Sequence, residues 1–214
     1  MMRTIGDIYR QYHTMPNLQL HQLRVAAVAM QVCDNFDLPL NRRDLAIGCM
    51  IHDIGNIVKF RLRAFPELLA GEDVEYWENI QKQYIEKYGS EEHDANMGIA
   101  LDSGVSKEIL GIVDAVGFHN WCLVKNEGSW EYKIASYADS RVAPFGVKSL
   151  NERLLDATKR YADVSHTTDS VRDELYDCIK EVEKQIFPHL KIKPEDINDN
   201  SIEKYFEELK KIEF

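Results

Sequence analysis

Apolar side chains recur at three- and four-residue steps through almost every segment long enough to hold an element, and that period commits the chain to packed α-helices. After Pro16 and Asn17, the residues Leu18, His21, Val25, Val28, Ala29 and Val32 share one face, which predicts a helix ending near Asn35. A second helix is predicted from about Asn41 into His52 and Asp53, with Leu45, Cys49 and His52 aligned and Gly55 as its stop. Residues 56 to 72 read as a loop with a short helix, because Pro66 and Gly71 interrupt them. From Asp73 to Tyr88 the stripe Trp77, Ile80, Tyr84, Tyr88 predicts another helix, closed by Gly89. Ser90 is the expected cap of the next, with Glu91 and Glu92 in its first turn. Ser106 opens a helix in which Ile109, Ile112, Val116 and His119 would face inward. The run CLVKNEGSWE reads as a loop, and YKIASYADSRVA as a helix that presents Asp139. Nothing reads as a strand, so the expected fold class is all-α.

Beyond Pro144-Phe145-Gly146, three further helices are predicted: Leu150, Leu154, Ala157 and Tyr161 mark the first, Val171 to Ile186 the second, and Ile202, Tyr205, Leu209 and Ile212 the third. None carries a cluster of ligand-type residues. The expected division is a helical domain over 1–148 and a helical extension over 149–214, packed on it.

With 26 basic against 36 acidic residues, the net charge of −10 argues against a surface built to neutralise a nucleic-acid duplex. No segment approaches the apolar length of a membrane span, and the charged, polar N-terminus does not read as a signal peptide. Cys33, Cys49, Cys122 and Cys178 are widely spaced with no C-x-x-C pair. Neither a disulfide framework nor a zinc ribbon is indicated, and a reducing cytoplasm fits.

The chemistry concentrates in one dipeptide. A single histidine on an apolar helix face is usually a hydrogen-bonded core residue, but His52-Asp53 places an imidazole beside a carboxylate inside the apolar run MIHDIG. A buried carboxylate needs a cation or several donors. A histidine on one helix, this pair on the next and a distant aspartate together resemble the HD superfamily of metal-dependent phosphohydrolases: LHQLRVAAVA around His21, IHDIGN, and IASYADSRV around Asp139 are similar to its three segments, over residues 17 to 145. His93 and His119 occupy the places of two further histidines in the two-metal subset of that family, at successive intervals of 31, 41, 26 and 20 residues from His21 to Asp139. The 41-residue interval is long, consistent with an inserted helix.

The resemblance implies an HD-type helical bundle in which His21, His52, Asp53 and Asp139 hold one metal, while Asp53 bridges to a second held by His93 and His119. His52 and Asp53 would be catalytic. Four imidazoles and two carboxylates without thiolate suit iron, manganese, cobalt or nickel better than magnesium. The implied activity is hydrolysis of a phosphate ester, with a nucleotide or small phosphorylated metabolite as the partner molecule; a homodimer is left open.

Arg24, one turn beyond His21, and Lys59 are candidate phosphate-binding residues, each set against an ordinary surface ion pair. Lys59, Arg61 and Arg63 form a basic cluster. Asn56 stands where many relatives carry a lysine, and Lys59 would replace it only if the helix continued past Gly55. His13, His166 and His189 are unassigned. The stripe of Trp77, Ile80, Tyr84 and Tyr88 reads as core before it reads as a nucleobase platform, and a Cys122–His119 nucleophile pair lacks an orienting third group. The same six ligands also match a non-haem di-iron oxygenase of the superfamily, and an HD sensor or interaction module without activity is the third reading.

Overall fold

The computed structural model describes residues 3–64, 69, 71, 73–161 and 168–214. The fold is all-α. Helix α1 (Ile5–Gln11) starts at Thr4, whose side chain and Asp7 form a capping box. Helix α2 (Pro16–Asn35) begins with proline at its first position, where the missing N–H costs nothing. Every residue from Val25 to Val32 is buried, so the middle of α2 is covered on all sides and runs through the centre. It packs on α3 (Arg42–Ile51) and α8 (Trp130–Asp139), and α3 packs on α6 (Lys107–Val116). Ser136 Oγ joins α8 to α6 by donating to the Ala115 carbonyl at 2.8 Å.

Around this centre lie α4 (Val74–Tyr88), capped by Asp73, and α5 (Glu92–Asp102). Trp77, Ile80 and Tyr84 are buried, Trp77 Nε1 donates to the Leu69 carbonyl at 3.2 Å, and the Tyr84 hydroxyl donates to the Tyr12 carbonyl. The aromatic stripe is core. Helices α7 (Trp121–Glu127), α9 (Leu150–Tyr161), α10 (Asp169–Ile186), α11 (Asp199–Ile202) and α12 (Phe206–Leu209) complete the chain. One apolar cluster runs from Ile5 through Ile179, Val182 and Ile186 of α10 to Leu209 of α12. Arg141, 2 % exposed, reinforces that junction by donating to the carbonyls of Pro194 and Ile197 at 3.1 and 3.0 Å.

Several elements differ from expectation, each for a local reason. Helix α3 stops at Ile51 rather than Gly55: the Gly55 N–H goes to Asn96 Oδ1 at 2.6 Å and Asn96 Nδ2 donates to Asn56 Oδ1 at 2.9 Å, so side chains replace helical bonds. A 3-10 turn, Asn56–Lys59, follows, then another, Leu62–Ala64; Pro66 lies outside the described residues, as do the Tyr161 side chain and His166. The cap of α5 is Glu91, not Ser90. Helix α6 ends at Val116, so His119 falls in a separate 3-10 turn, Phe118–Asn120, and is exposed rather than inward-facing.

The run expected as a loop after Asn120 is helix α7, because Trp121 and Val124 bury one short face. Cys122 on it is bonded to Cys178 on α10, against the expectation that the cysteines form no disulfide. Their separation of 56 residues carries no spacing signal. The last predicted helix is divided into α11, a 3-10 turn Glu203–Tyr205 and α12, although Ile202, Tyr205 and Leu209 are all buried as the period required. Strands β1 (Val142–Ala143) and β2 (Gly146–Val147) pair antiparallel, Val142 opposite Val147; two residues each are too few to show alternation. Among the described residues no helix is long and apolar enough to cross a membrane.

Candidate metal centre

Three helices converge on one group of donors. The second turn of α2 supplies His21, the turn closing α3 supplies His52 and Asp53, and the last residue of α8 is Asp139. His21 Nε2 lies 3.1 Å from Asp139 Oδ1 and 3.5 Å from Asp53 Oδ2. His52 Nε2 lies 3.4 Å from Asp139 Oδ1 and 3.6 Å from Asp53 Oδ1. One ligand atom each from His21, His52 and Asp53 falls within 4.8 Å of the others. At metal–ligand distances of about 2.0–2.2 Å, neighbouring ligands of one ion stand about 3.0–3.5 Å apart, so the spacings suit a shared cation.

The most telling atom is His52 Nε2. The His52 side chain is 1 % exposed; its Nδ1 faces the Cys49 carbonyl at 2.8 Å, which can only accept, so Nδ1 carries a proton. Nε2 is buried with no hydrogen-bond partner. An imidazole fixed through one nitrogen, with the other bare and facing two carboxylates, is the arrangement of a metal ligand and its supporting shell. Gln22, fully buried, supports Asp53 in turn: its Oε1 accepts the Asp53 N–H at 3.2 Å.

The electrostatics agree with a missing positive charge. Burial opposes a charged His52, yet Asp53 and Asp139 outweigh it and push its pKa up to about 9. Burial would raise the Asp139 pKa, but the His21 and His52 imidazoles beside it hold it well below the usual carboxylate range. A proton is retained where a cation would otherwise balance the carboxylates. Two imidazoles and two carboxylates, with one nitrogen unsatisfied, fit a divalent transition metal.

A second group stands at the rim. His93, in the first turn of α5, has Nε2 3.2 Å from Asp114 Oδ1 on α6, and its ring meets that of His119 edge-on, centroids 5.1 Å apart. The six sequence-expected ligands thus fall into an inner four and an outer pair, and among the described residues only His21, His52 and Asp53 bring three ligand atoms within 4.8 Å of one another. The turn after Asp53 meets α5 closely: a β-carbon on Gly55 would come within 2.7 Å of the Ala95 backbone, so glycine lets α5 pack against that turn.

The candidate phosphate-binding residues are engaged elsewhere. Arg24 Nε is 3.7 Å from Asp199, and its Nη1 is 3.5 Å from the Pro144 carbonyl. Lys59 is paired with Glu92, and Arg63 with Glu78 at 2.7 Å. The helix break before Asn56 removes the continuous turn that Lys59 needed to replace a lysine there, and Asn56 is buried. His13 meets the Tyr76 hydroxyl and His189 meets Asp37, while Cys122 is bound in its disulfide. Gln22, Asn96 and Asp114 were not singled out from sequence; only Gln22, beside His21, carried a positional hint.

No family model matches the chain, and comparisons with curated proteins and with solved structures found no match.

Proposed function

We propose that this protein is a metal-dependent phosphohydrolase acting on a nucleotide or a related small phosphorylated metabolite. The observation that carries the metal part is the buried, unpartnered His52 Nε2 facing Asp53 and Asp139; the reaction class rests on the HD-superfamily resemblance of the segments around His21, His52-Asp53 and Asp139. Under this reading His21, His52, Asp53 and Asp139 hold one ion of iron, manganese, cobalt or nickel, and His93 and His119 contribute to a second. Such ions lower the pKa of coordinated water and polarise phosphoryl oxygen.

The chain's own residues set the conditions for that chemistry. Two divalent ions against the charges of Asp53 and Asp139 leave about +2, a local field that attracts a phosphate dianion to an otherwise acidic protein. Cys49 and Gln22 fix His52 and Asp53 before substrate arrives, so little reorganisation is needed. Arg24, on the helix that carries His21, reaches phosphate in this reading by exchanging its exposed Asp199 partner.

The test is a phosphate-release screen over nucleotides and sugar phosphates with metal-stripped protein reloaded with manganese, cobalt or nickel. Release that appears on loading, disappears on chelation and is absent in His52→Ala supports the reading. Full metal loading with no release from any substrate, together with oxygen uptake on an organic substrate, replaces it with the oxygenase reading.

A further inference from the structure

We propose that Asn96 is a positioning residue of the inner metal site: from α5 it holds the turn that carries His52 and Asp53 in the shape an ion needs, so that α4 and α5, which supply none of the inner donors, help set the affinity of the site. The inference rests on the reading of the inner group as a metal centre and adds to it a residue that acts through the turn rather than on the ion.

Past Ile51 the chain leaves its helix, and the turn is tied down by bonds that run in different directions. The Ile54 N–H donates to the Ile51 carbonyl at 3.2 Å and the Asn56 N–H to the Asp53 carbonyl at 3.0 Å, both within the turn. The Asp53 N–H reaches Gln22 on α2 at 3.2 Å. The Gly55 N–H reaches Asn96 on α5 at 2.6 Å, the shortest of the four. A backbone N–H can only donate, so Gly55 must face Oδ1 of Asn96, and Nδ2 is left to donate to Asn56 Oδ1 at 2.9 Å. Both asparagines are buried. One side chain therefore grips two successive residues, and through the Asn56 N–H the grip closes on the carbonyl of Asp53 itself.

Packing adds to these bonds. A β-carbon on Gly55 would stand 2.7 Å from the Ala95 carbonyl carbon and 2.9 Å from Asn96 N, so no side chain fits between α5 and the turn. The residues that follow are tied to α4 as well, where Gln81 Nε2 donates to the carbonyls of Ile57 and Phe60 at 2.7 and 2.9 Å. Donors converge on one ion only while their backbone is held, which is why groups behind the ligands govern affinity. The competing explanation is that Asn96 merely satisfies two polar groups at a buried helix end, with no effect on Asp53.

Cobalt(II) titrated into metal-stripped full-length protein, together with amide hydrogen exchange of each protein in chelator, separates the two. Asn96→Ala and Asn96→Leu should weaken the first cobalt step about ten- to hundredfold. Without metal they should speed exchange of the Asp53 amide, whose partner is Gln22 and not Asn96, by about tenfold or more. Gly55→Ala keeps Asn96 and a backbone conformation that alanine adopts (φ −93°, ψ −2°), yet pushes α5 off the turn, and should shift both readouts in the same direction. Ser103→Ala removes the bond from Ser103 Oγ to the Ile99 carbonyl at the far end of α5, and should leave both readouts unchanged. Thermal unfolding in chelator checks that each variant is folded, and Gly55→Ala decides where the Asn96 variants are not. Wild-type cobalt affinity and wild-type Asp53 exchange in folded Asn96→Leu or Gly55→Ala overturn the proposal, as does an equal loss in Ser103→Ala. A wild type that binds no cobalt removes the metal reading and this proposal with it, whereas Asn96-dependent binding without phosphate release supports the proposal and removes only the hydrolase reading.

Discussion

The inner and outer groups use the same side-chain chemistry in opposite settings. At the inner group, four donors come from α2 and from α3 and α8 packed on it, and every one is mostly buried, His52 almost completely. At the outer group, Asp114 lies in the last turn of α6, His93 in the first turn of α5 and His119 on a three-residue turn, and all three reach solvent. Burial makes the inner donors costly when unsatisfied and therefore rigidly positioned; exposure makes the outer donors cheap, adjustable and dependent on local turn geometry. The inner ion should then be part of the fold and the outer ion an addition to it.

The sharpest way to break this comparison is to remove one histidine from each group without metal present. His52→Ala takes away the proton carrier between Asp53 and Asp139 and leaves two carboxylates facing each other in a buried site. We expect a loss of about 3–5 kcal/mol in denaturant unfolding, against about 0.5 kcal/mol or less for His119→Ala at the exposed rim. Equal losses would show that both groups are equally structural. Next in size is the Cys122–Cys178 bridge, which ties α7, immediately after His119, to α10. A 56-residue separation gives an expected loss of about 3–4 kcal/mol when both cysteines become serine. Inner-ion affinity should hold while outer-ion affinity falls; the reverse pattern in a metal titration would dissociate α7 from the rim.

The same contrast explains what could be read from sequence. His21 on α2 and His52 at the end of α3 stand on apolar stripes whose period survives into the structure, so their helical placement was legible in the residues themselves, while their convergence on one site was implied only by the family resemblance. Asp139, closing α8 among Ala135, Ser136 and Ala138, was legible for the same reason. The outer group was not: Gly117 breaks the period between Val116 and His119, turning an apparently inward histidine out to solvent. Asp114 is invisible until that turn is known, because five residues before a histidine is neither a helical nor a strand spacing. The short α7, with two buried residues, and the two-residue strands likewise lie below the length at which periodicity discriminates. The end of α3 was misplaced because Asn96, 41 residues away, supplies the acceptor for Gly55.

A smaller effect follows from pH in metal-stripped protein. The folded pKa of His52 is raised from 6.5 to about 9, so its contribution is complete below about pH 6.5 and lost as pH rises through about 9. The Asp139 pKa is depressed, so its contribution is present above its ordinary value of 3.8 and lost as pH falls through the lower folded value. Urea midpoints should therefore decline on the alkaline side by the equivalent of about 1–3 kcal/mol between pH 6.5 and 9. Metal-loaded protein should lack that decline, since the ion replaces the proton and binds better as protons leave. An alkaline decline that persists with metal bound would place the titration outside the inner group.

The least disruptive change isolates the rim. Gly117 has φ −52° and ψ 131°, which alanine adopts without strain, so Gly117→Ala should leave the backbone intact. Reduced freedom in the unfolded chain favours alanine by up to about 1 kcal/mol, offset by crowding at the new methyl group, and the net change in unfolding free energy should stay within about 0.5 kcal/mol. The methyl group nevertheless stands 3.0 Å from His119 Cε1 and must turn the ring away from His93. Because His119 is exposed, the ring can swing into solvent at little cost, and what is lost is its contact with His93 rather than stability. Cobalt titration of Gly117→Ala should show an unchanged inner step and an outer step weakened several-fold. Unchanged binding at both steps would mean that the position of His119 relative to α6 does not matter, and the outer ligand set would have to be drawn without it.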